Sequence, residues 1–449
     1  MMNWMTTARG LVPVRRVVRI GVTGLAHAGK TVLLTSVAAN LLAAGAGLPA
    51  LPALAARLAG RRLRVSVAPA GATDLPRFDT ASHLSALARD PPAWPARTQA
   101  ISLLALDLEI AQPGLFSAFP ARRVRLELLD YPGEWLLDLP LLGLGFGAWS
   151  AATLRRLEKR REAADFLGFV GALPTRAPAD EKLARSGHQL YRALLARLRD
   201  EAGLCLLQPG RFLMPAPGGE PPWLEFFPFP GEGPLAGLLR SRYEAYVATV
   251  RTQLFSPAFA RMEGLVVLVD LLSALHGGPA AFADAAAALA EVAEALRWRG
   301  LAGLPDWLST LLGLGISRVA FVASKADHVA DRQRGNLAAL AAALTRLPMG
   351  RFVRTASFAV AAVRCTEDVV WTLDSHPVSA VRGRVVGAER AGRSYPGEVP
   401  DKPPGPEFWA HPFLELPDFE PMRLPLDGRG GVPNVNLDAL LGFLLEDAL

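Results

Sequence analysis

The spacing of apolar residues changes period repeatedly along this chain. Val17 to Val22 is a short run rich in β-branched residues, of a length that suits a buried strand, and Thr31 to Leu42 then sets apolar residues at helical spacing. Ile101 to Ile110 and Arg123 to Leu129 read as further strands, the second alternating charged with apolar positions. Ala148 to Leu167, Asp180 to Leu204 and Leu235 to Leu254 are helical patterns with mixed charges, and Pro209 to Pro234, rich in Pro, Gly and aromatic residues, predicts a loop between them. Leu265 to Val269 resumes a strand that Asp270 ends, Ala280 to Arg297 supplies a covering helix, and Val319 to Ala323 and Ser357 to Val363 are two more strands. Pro377 to Pro425 holds short β-type runs such as Val381 to Val386 among many prolines, and Val435 to Leu445 returns to helical spacing. Strands alternating with helices predict an α/β fold whose mostly parallel sheet is flanked by helices. The expected division is a core in two parts, 1–134 and 262–370, a helical insertion over 135–261, a small β-rich insertion over 371–428, and a helix within 429–449 that returns to the core.

Composition narrows the class. With 449 residues, 51% of them hydrophobic, the chain has material for two or three domain-sized units, which excludes disorder throughout. Cys205 and Cys365 lack metal-ligand spacing and form at most one disulfide, so a reducing compartment is the simpler reading. No signal-peptide core opens the chain and no stretch offers eighteen apolar residues free of charges and breakers, so the expected location is cytoplasmic. The net charge of +6 invites a nucleic-acid reading, but the densest basic cluster, Arg155 to Arg161, is interleaved with Glu158 and Glu162 and reads as a solvated helix face, so no nucleic-acid site is predicted. The seven histidines are scattered, which argues against a metal cluster, and no Ser/His/Asp triad can be argued.

Residues 24 to 31 read Gly-Leu-Ala-His-Ala-Gly-Lys-Thr and satisfy every fixed position of a phosphate-binding P-loop, between a strand and a helix as that loop requires. Gly24, His27, Ala28 and Gly29 present backbone N–H groups, and Lys30, Thr31 and Val32 open the helix; Lys30 would reach the β/γ-phosphates and the Thr31 hydroxyl would ligate Mg²⁺. Asp130-Tyr131-Pro132-Gly133 follows a strand end. There Asp130 would hold Mg²⁺ through water and the Gly133 N–H would meet a γ-phosphate. Ser324-Lys325-Ala326-Asp327 is a variant of the guanine-reading pattern, in which Asp327 accepts from the two guanine donors and the Lys325 stem covers the base; an ordinary polar turn is the bland reading. The loop from Arg364 through Cys365 to Thr366 is the expected backbone contact to the guanine O6. Thr98 stands where a switch threonine would bind Mg²⁺, and a plain loop Thr fits the spacing as well. Glu134 follows Gly133 where Ras proteins carry the water-orienting Gln, and Arg97 is a candidate internal arginine finger. Together the motifs specify a P-loop, Ras-like GTPase core.

In that order Gly-Leu-x-x-x-Gly-Lys-Thr, Trp-Pro-x-x-Thr, Leu-Asp-Tyr-Pro-Gly-Glu-Trp-Leu-Leu-Asp-Leu-Pro and Lys-Ala-Asp-His-Val, the chain resembles the bacterial YcjX family over essentially its whole length. The resemblance implies a Ras-like GTPase core with added helical and small β domains, Gram-negative bacteria, and an association with stress responses. It implies Gly29, Lys30, Thr31, Thr98, Asp130, Gly133, Lys325 and Asp327 as nucleotide-site positions, and Glu134 as usual after the glycine; Ser324 and His27 are mild variations. The expected activity is Mg²⁺-dependent hydrolysis of GTP to GDP and phosphate with slow intrinsic turnover. The alternatives are a nucleotide-dependent interaction module that turns over only beside a partner at the inner membrane, docked through the helical insertion, and an ATPase.

Overall fold

The computed structural model describes residues 16–25, 27–68, 75–96, 101–111, 121–213, 221–254, 262–298, 316–345, 353–411, 413, 416–424 and 431–448. Strands β1 (Arg16–Gly24), β2 (Arg62–Val67), β3 (Ser102–Ala111), β4 (Arg122–Asp130), β5 (Gly264–Val269), β6 (Arg318–Ala323) and β7 (Arg354–Ala359) form a seven-stranded sheet in the order β2-β3-β4-β1-β5-β6-β7. β1, β4, β5, β6 and β7 run parallel, while β3 pairs antiparallel with both of its neighbours. The continuous apolar runs of β5 and β6 have a physical reason. Both faces are covered, with Leu265, Val267, Val269, Val319, Phe321 and Ala323 in one core and Val266, Leu268, Ala320 and Val322 in the other.

Helices lie on both faces. The chain supplies α1 (Lys30–Gly45), α2 (Pro52–Leu58) and α3 (Thr80–Ala88), then α4 (Gly133–Leu136), α5 (Phe146–Leu157), α6 (Ala164–Ala172), α7 (Glu181–Asp200) and α8 (Pro234–Leu254). Next come α9 (Leu271–His276), α10 (Gly278–Trp298), α11 (Asp331–Leu344) and α12 (Leu437–Leu444). Helices α5 to α8 surround an aromatic core in which the Trp149 and Tyr243 rings stack at 5.1 Å and the Phe226 edge meets Trp149 at 5.5 Å. A separate antiparallel sheet of β8 (Thr366–Leu373), β9 (His376–Arg384) and β10 (Ala391–Ser394) has the order β10-β9-β8. Its β8–β9 hairpin turns on Asp374 and Ser375, both at positive φ (48° and 67°), the two-residue geometry whose twist matches that of paired strands.

Two expectations shift. The strand expected over Ser357 to Val363 is β7, Arg354–Ala359, because Ala361 exchanges both backbone hydrogen bonds with Val435 and is drawn out of the sheet. The antiparallel sheet starts at Thr366, ahead of the 371 at which the β-rich insertion was expected. Among the described residues no helix is long and apolar enough to cross a membrane.

Candidate functional site

The carboxyl ends of β1, β4, β5 and β6 lie along one edge of the sheet, since Val22 is opposite Asp130, Gly24 opposite Leu268, and Val269 opposite Ala323. A strand-order reversal falls here, where β1 has β4 on one side and β5 on the other, and such edges carry the ligand sites of open α/β sheets. Gly24 packs so tightly on β5 that a Cβ would meet the Leu268 carbonyl at 2.6 Å. Leu25 N–H donates to that carbonyl (2.9 Å), and the chain then turns through left-handed His27 (φ 61°) and Gly29 (φ 85°). Such turns aim successive N–H groups inward at one concavity. α1 starts at Lys30 without a side-chain cap or an acidic residue in its first turn, so the positive end of the helix faces the loop. The Lys30 ammonium reaches back to the Gly24 carbonyl at 3.4 Å and, among the described residues, pairs with no carboxylate. Asp130, buried, ends β4 beside this loop. Gly133 closes over it, for a Cβ there would overlap the Gly24 carbonyl and lie 3.5 Å from the Lys30 Nζ.

The second half of the edge is built on β6. Ser324 N–H and hydroxyl both donate to the Val269 carbonyl, at 2.9 and 3.2 Å. Lys325, left-handed at φ 58°, sets its ammonium 2.5 Å from Asp270 Oδ2 at the end of β5. Burial pushes the Asp270 carboxyl up, but Lys325 and the Ser273 hydroxyl and N–H outweigh it and hold the group below its ordinary value. Asp327 is buried. Its Oδ2 accepts from the Cys365 N–H (2.6 Å) and thiol (3.0 Å), and its carbonyl accepts from the Thr366 hydroxyl. Burial, then the adjacent Asp327 carboxylate, push the Cys365 thiol up, so it stays a protonated donor. His328 Nε2 is 3.6 Å from that sulfur, and burial holds the imidazole below its ordinary value despite the Asp327 carboxylate beside it.

Against known proteins, the model of the YcjX-like family, DUF463, matches residues 18–449. The chain belongs to the YcjX-like family. It is similar to the Ras-like GTPase YcjX of Escherichia coli (strain K12), 32% identical with 97% of each chain covered. It is also similar to the Ras-like GTPase YcjX of Shewanella oneidensis, 30% identical over 97% of this chain and 95% of the relative. With these relatives, the mixed sheet and its flanking helices are a Ras-like α/β fold.

In this YcjX-like chain the structure brings Gly24, Ala28, Gly29, Lys30, Asp130 and Gly133 to one end of the edge, and Ser324, Lys325, Asp327 and Cys365 to the other. Arg364 behaves differently from a base-contacting loop residue: its N–H is committed to the Pro433 carbonyl (2.7 Å) and its guanidinium to Asp368 (2.9 Å). Arg97 and Thr98 lie outside the described residues, as does the side chain of Glu134; the Glu134 backbone is in α4. Sequence reasoning missed three participants. Asp270 appeared only as a strand end, although a carboxylate closing an apolar run beside the base-motif strand was a usable signal. His328 becomes visible only when the chain returns through Cys365. Asp138, the lone carboxylate in the run Trp135 to Leu142, accepts from Tyr246 OH of α8 (2.5 Å) and Gly210 N–H (2.8 Å), while the Arg211 guanidinium lies over the Trp135 ring at 4.0 Å. The segment after Gly133 is thereby fastened to α8 and to the chain at Gly210 and Arg211.

Proposed function

We propose that the chain is a GTP-binding protein that hydrolyses GTP to GDP and phosphate. The observation that carries this reading is the convergence, on one sheet edge, of a phosphate-loop ammonium with no carboxylate partner among the described residues and a buried aspartate in a guanine-type motif, motifs that are far apart in sequence. The names of the YcjX relatives support the same reading. Lys30 and the loop N–H groups neutralise phosphate charge, the Gly133 N–H orients the terminal phosphate, and Asp327 selects guanine by accepting from the two donors of the base. Lys325, anchored by Asp270, is fixed to cover the base face. The residues suit Mg²⁺: Thr31 is in the first turn of α1 at the loop, Asp130 is a buried carboxylate beside it, and Thr98 is the third candidate ligand. When bound there, the ion supplies charge neutralisation at the β- and γ-phosphates. Glu134 and Arg97 are the candidates for orienting water and stabilising developing charge, and either leaves the mechanism if its replacement by Ala preserves single-turnover hydrolysis.

A second function accompanies hydrolysis in this proposal. Because Trp135 and Asp138, just after Gly133, are held by Arg211, Gly210 and Tyr246 of α8, nucleotide-dependent movement of Gly133 is transmitted through the helical insertion to its surface, where a partner at the inner membrane, of the stress response, docks. The deciding experiment is calorimetric binding of GTP, GDP, ATP and xanthosine triphosphate, with Mg²⁺, to the wild type and to Asp327→Asn. Guanine preference that moves to xanthine in the variant is the expected result; ATP binding equal to or tighter than GTP overturns the assignment and leaves only the phosphate loop.

A further inference from the structure

Asp327, His328 and Cys365 bring three different metal-ligating groups together in one buried place, their ligand atoms all within 4.8 Å of one another. Cys365 Sγ is 3.0 Å from Asp327 Oδ2 and 3.6 Å from His328 Nε2. A tetrahedral Zn²⁺, at roughly 2.3 Å from sulfur and 2.0–2.1 Å from nitrogen and oxygen, sets its ligand atoms about 3.3–3.6 Å apart. The sulfur–nitrogen edge already has that length, and the sulfur–oxygen edge needs to open by about half an ångström. We propose that Asp327, His328 and Cys365 form a site for a borderline-soft divalent cation of the Zn²⁺ kind, and that this ion and a guanine base exclude one another because both take the Asp327 carboxylate.

The donor set selects the metal class. Thiolate and imidazole favour Zn²⁺ or Co²⁺, whereas Mg²⁺ prefers an all-oxygen shell, so this site is separate in chemistry from the one beside Lys30. The surrounding charge also favours a cation, since the carboxylates of Asp327, Asp270 and Asp418 all act on His328 against the ammonium of Lys325. The ligands are held in advance: the Cys365 N–H donates to Asp327 Oδ2 (2.6 Å), and the His328 ring packs edge-on to Phe419 at 5.3 Å. On binding, the S–H bond of Cys365 breaks, a sulfur–metal bond forms, and the proton now donated to Asp327 leaves to solvent. His328 contributes a neutral lone pair. The metal site stands without the nucleotide reading; the exclusion of guanine rests on the reading of Asp327 as the base reader.

Co²⁺ titration of the full chain carrying Cys205→Ser tests both parts, because Cys365 is then its only thiol. The expected result is a near-ultraviolet thiolate-to-cobalt band complete at one equivalent, abolished by Zn²⁺ and by the further change Cys365→Ser. His328→Gln weakens Co²⁺ binding at least about tenfold, and saturating GDP with Mg²⁺ does the same. Absence of the band in the Cys205→Ser protein, or Co²⁺ affinity unaltered by Cys365→Ser and His328→Gln, overturns the site. A band indifferent to GDP, in a protein that binds a fluorescent GDP analogue, overturns the exclusion alone. A band in a protein that binds no guanine nucleotide retains the site and overturns the exclusion together with the base reading.

Discussion

At the scale of single residues, two buried titratable groups in the helical insertion oppose each other. Burial pushes the Asp138 carboxyl up to about 6, only partly offset by the Tyr246 hydroxyl, the Gly210 N–H and Arg211, whereas burial pushes His188 down to about 4 against its hydrogen bond to the Phe226 carbonyl. A raised carboxyl stabilises the fold below its unfolded value of 3.8, and that contribution is lost as pH rises through about 6. A depressed imidazole does the reverse: its contribution is present above 6.5 and lost as pH falls through about 4. Each is worth on the order of 3 kcal/mol, so the two nearly cancel between pH 6.5 and 4. Urea unfolding followed by tryptophan fluorescence exposes them separately. Relative to the wild type, Asp138→Asn loses stability on acidification and His188→Gln gains it; variant profiles parallel to the wild type would sink this account.

At the scale of elements, Arg334 of α11 joins three pieces that hold the base motif. Its Nε donates to the Ala326 carbonyl (3.1 Å), and one guanidinium nitrogen grips both oxygens of Asp368 on β8 (2.9 and 3.0 Å). Because Arg334 is buried and Asp368 is partly exposed, Arg334→Gln is expected to cost about 2–3 kcal/mol, below the full penalty for breaking a buried pair. Gly335→Ala next to it is expected to stabilise by roughly 0.5–1 kcal/mol, since nothing lies within 4 Å of a Cβ there. Denaturant midpoints at unchanged m-value measure both changes, and equal midpoints for the two variants contradict the bracing role. Elements like these divide into the legible and the illegible by the range of what fixes them. The continuous apolar runs of β5 and β6, and the strand–loop–helix around Lys30, announce themselves locally because both faces of those strands are buried. β7 ends early because Val435, far along the chain, captures Ala361, and Lys325 finds Asp270 on a neighbouring strand; local periodicity carries neither pairing. Candidates for the site were legible where a motif has fixed spacing, as in Lys30, Asp130 and Asp327. They were hidden where two distant segments had to meet, as in His328 with Cys365 and Asp138 with Tyr246.

At the scale of the whole molecule, residues 431–448 hold together what comes long before them. Leu437, Leu440, Leu441, Leu444 and Leu445 are buried in the core shared with α1, α2 and the sheet. Asp438 accepts from Ala53 N–H (2.7 Å), Asp447 pairs with Arg318 (2.5 Å), and Val432 N–H donates to Asn40 of α1 (3.1 Å). Five buried leucines at about 1.5–3 kcal/mol each amount to roughly 10 kcal/mol, comparable to the whole stability of a typical protein. A chain stopped at residue 430 is therefore expected to lose cooperative thermal unfolding and near-ultraviolet dichroism, and an unchanged melting curve would refute this. The same stitching orders events in time. The helical insertion is contiguous in sequence and can collapse on itself while synthesis continues, but the helix that carries Lys30 receives its last supports from residues translated after everything they touch. A half-made chain emerging from the ribosome therefore carries the phosphate-loop sequence without the contacts that residues 431–448 later add to α1.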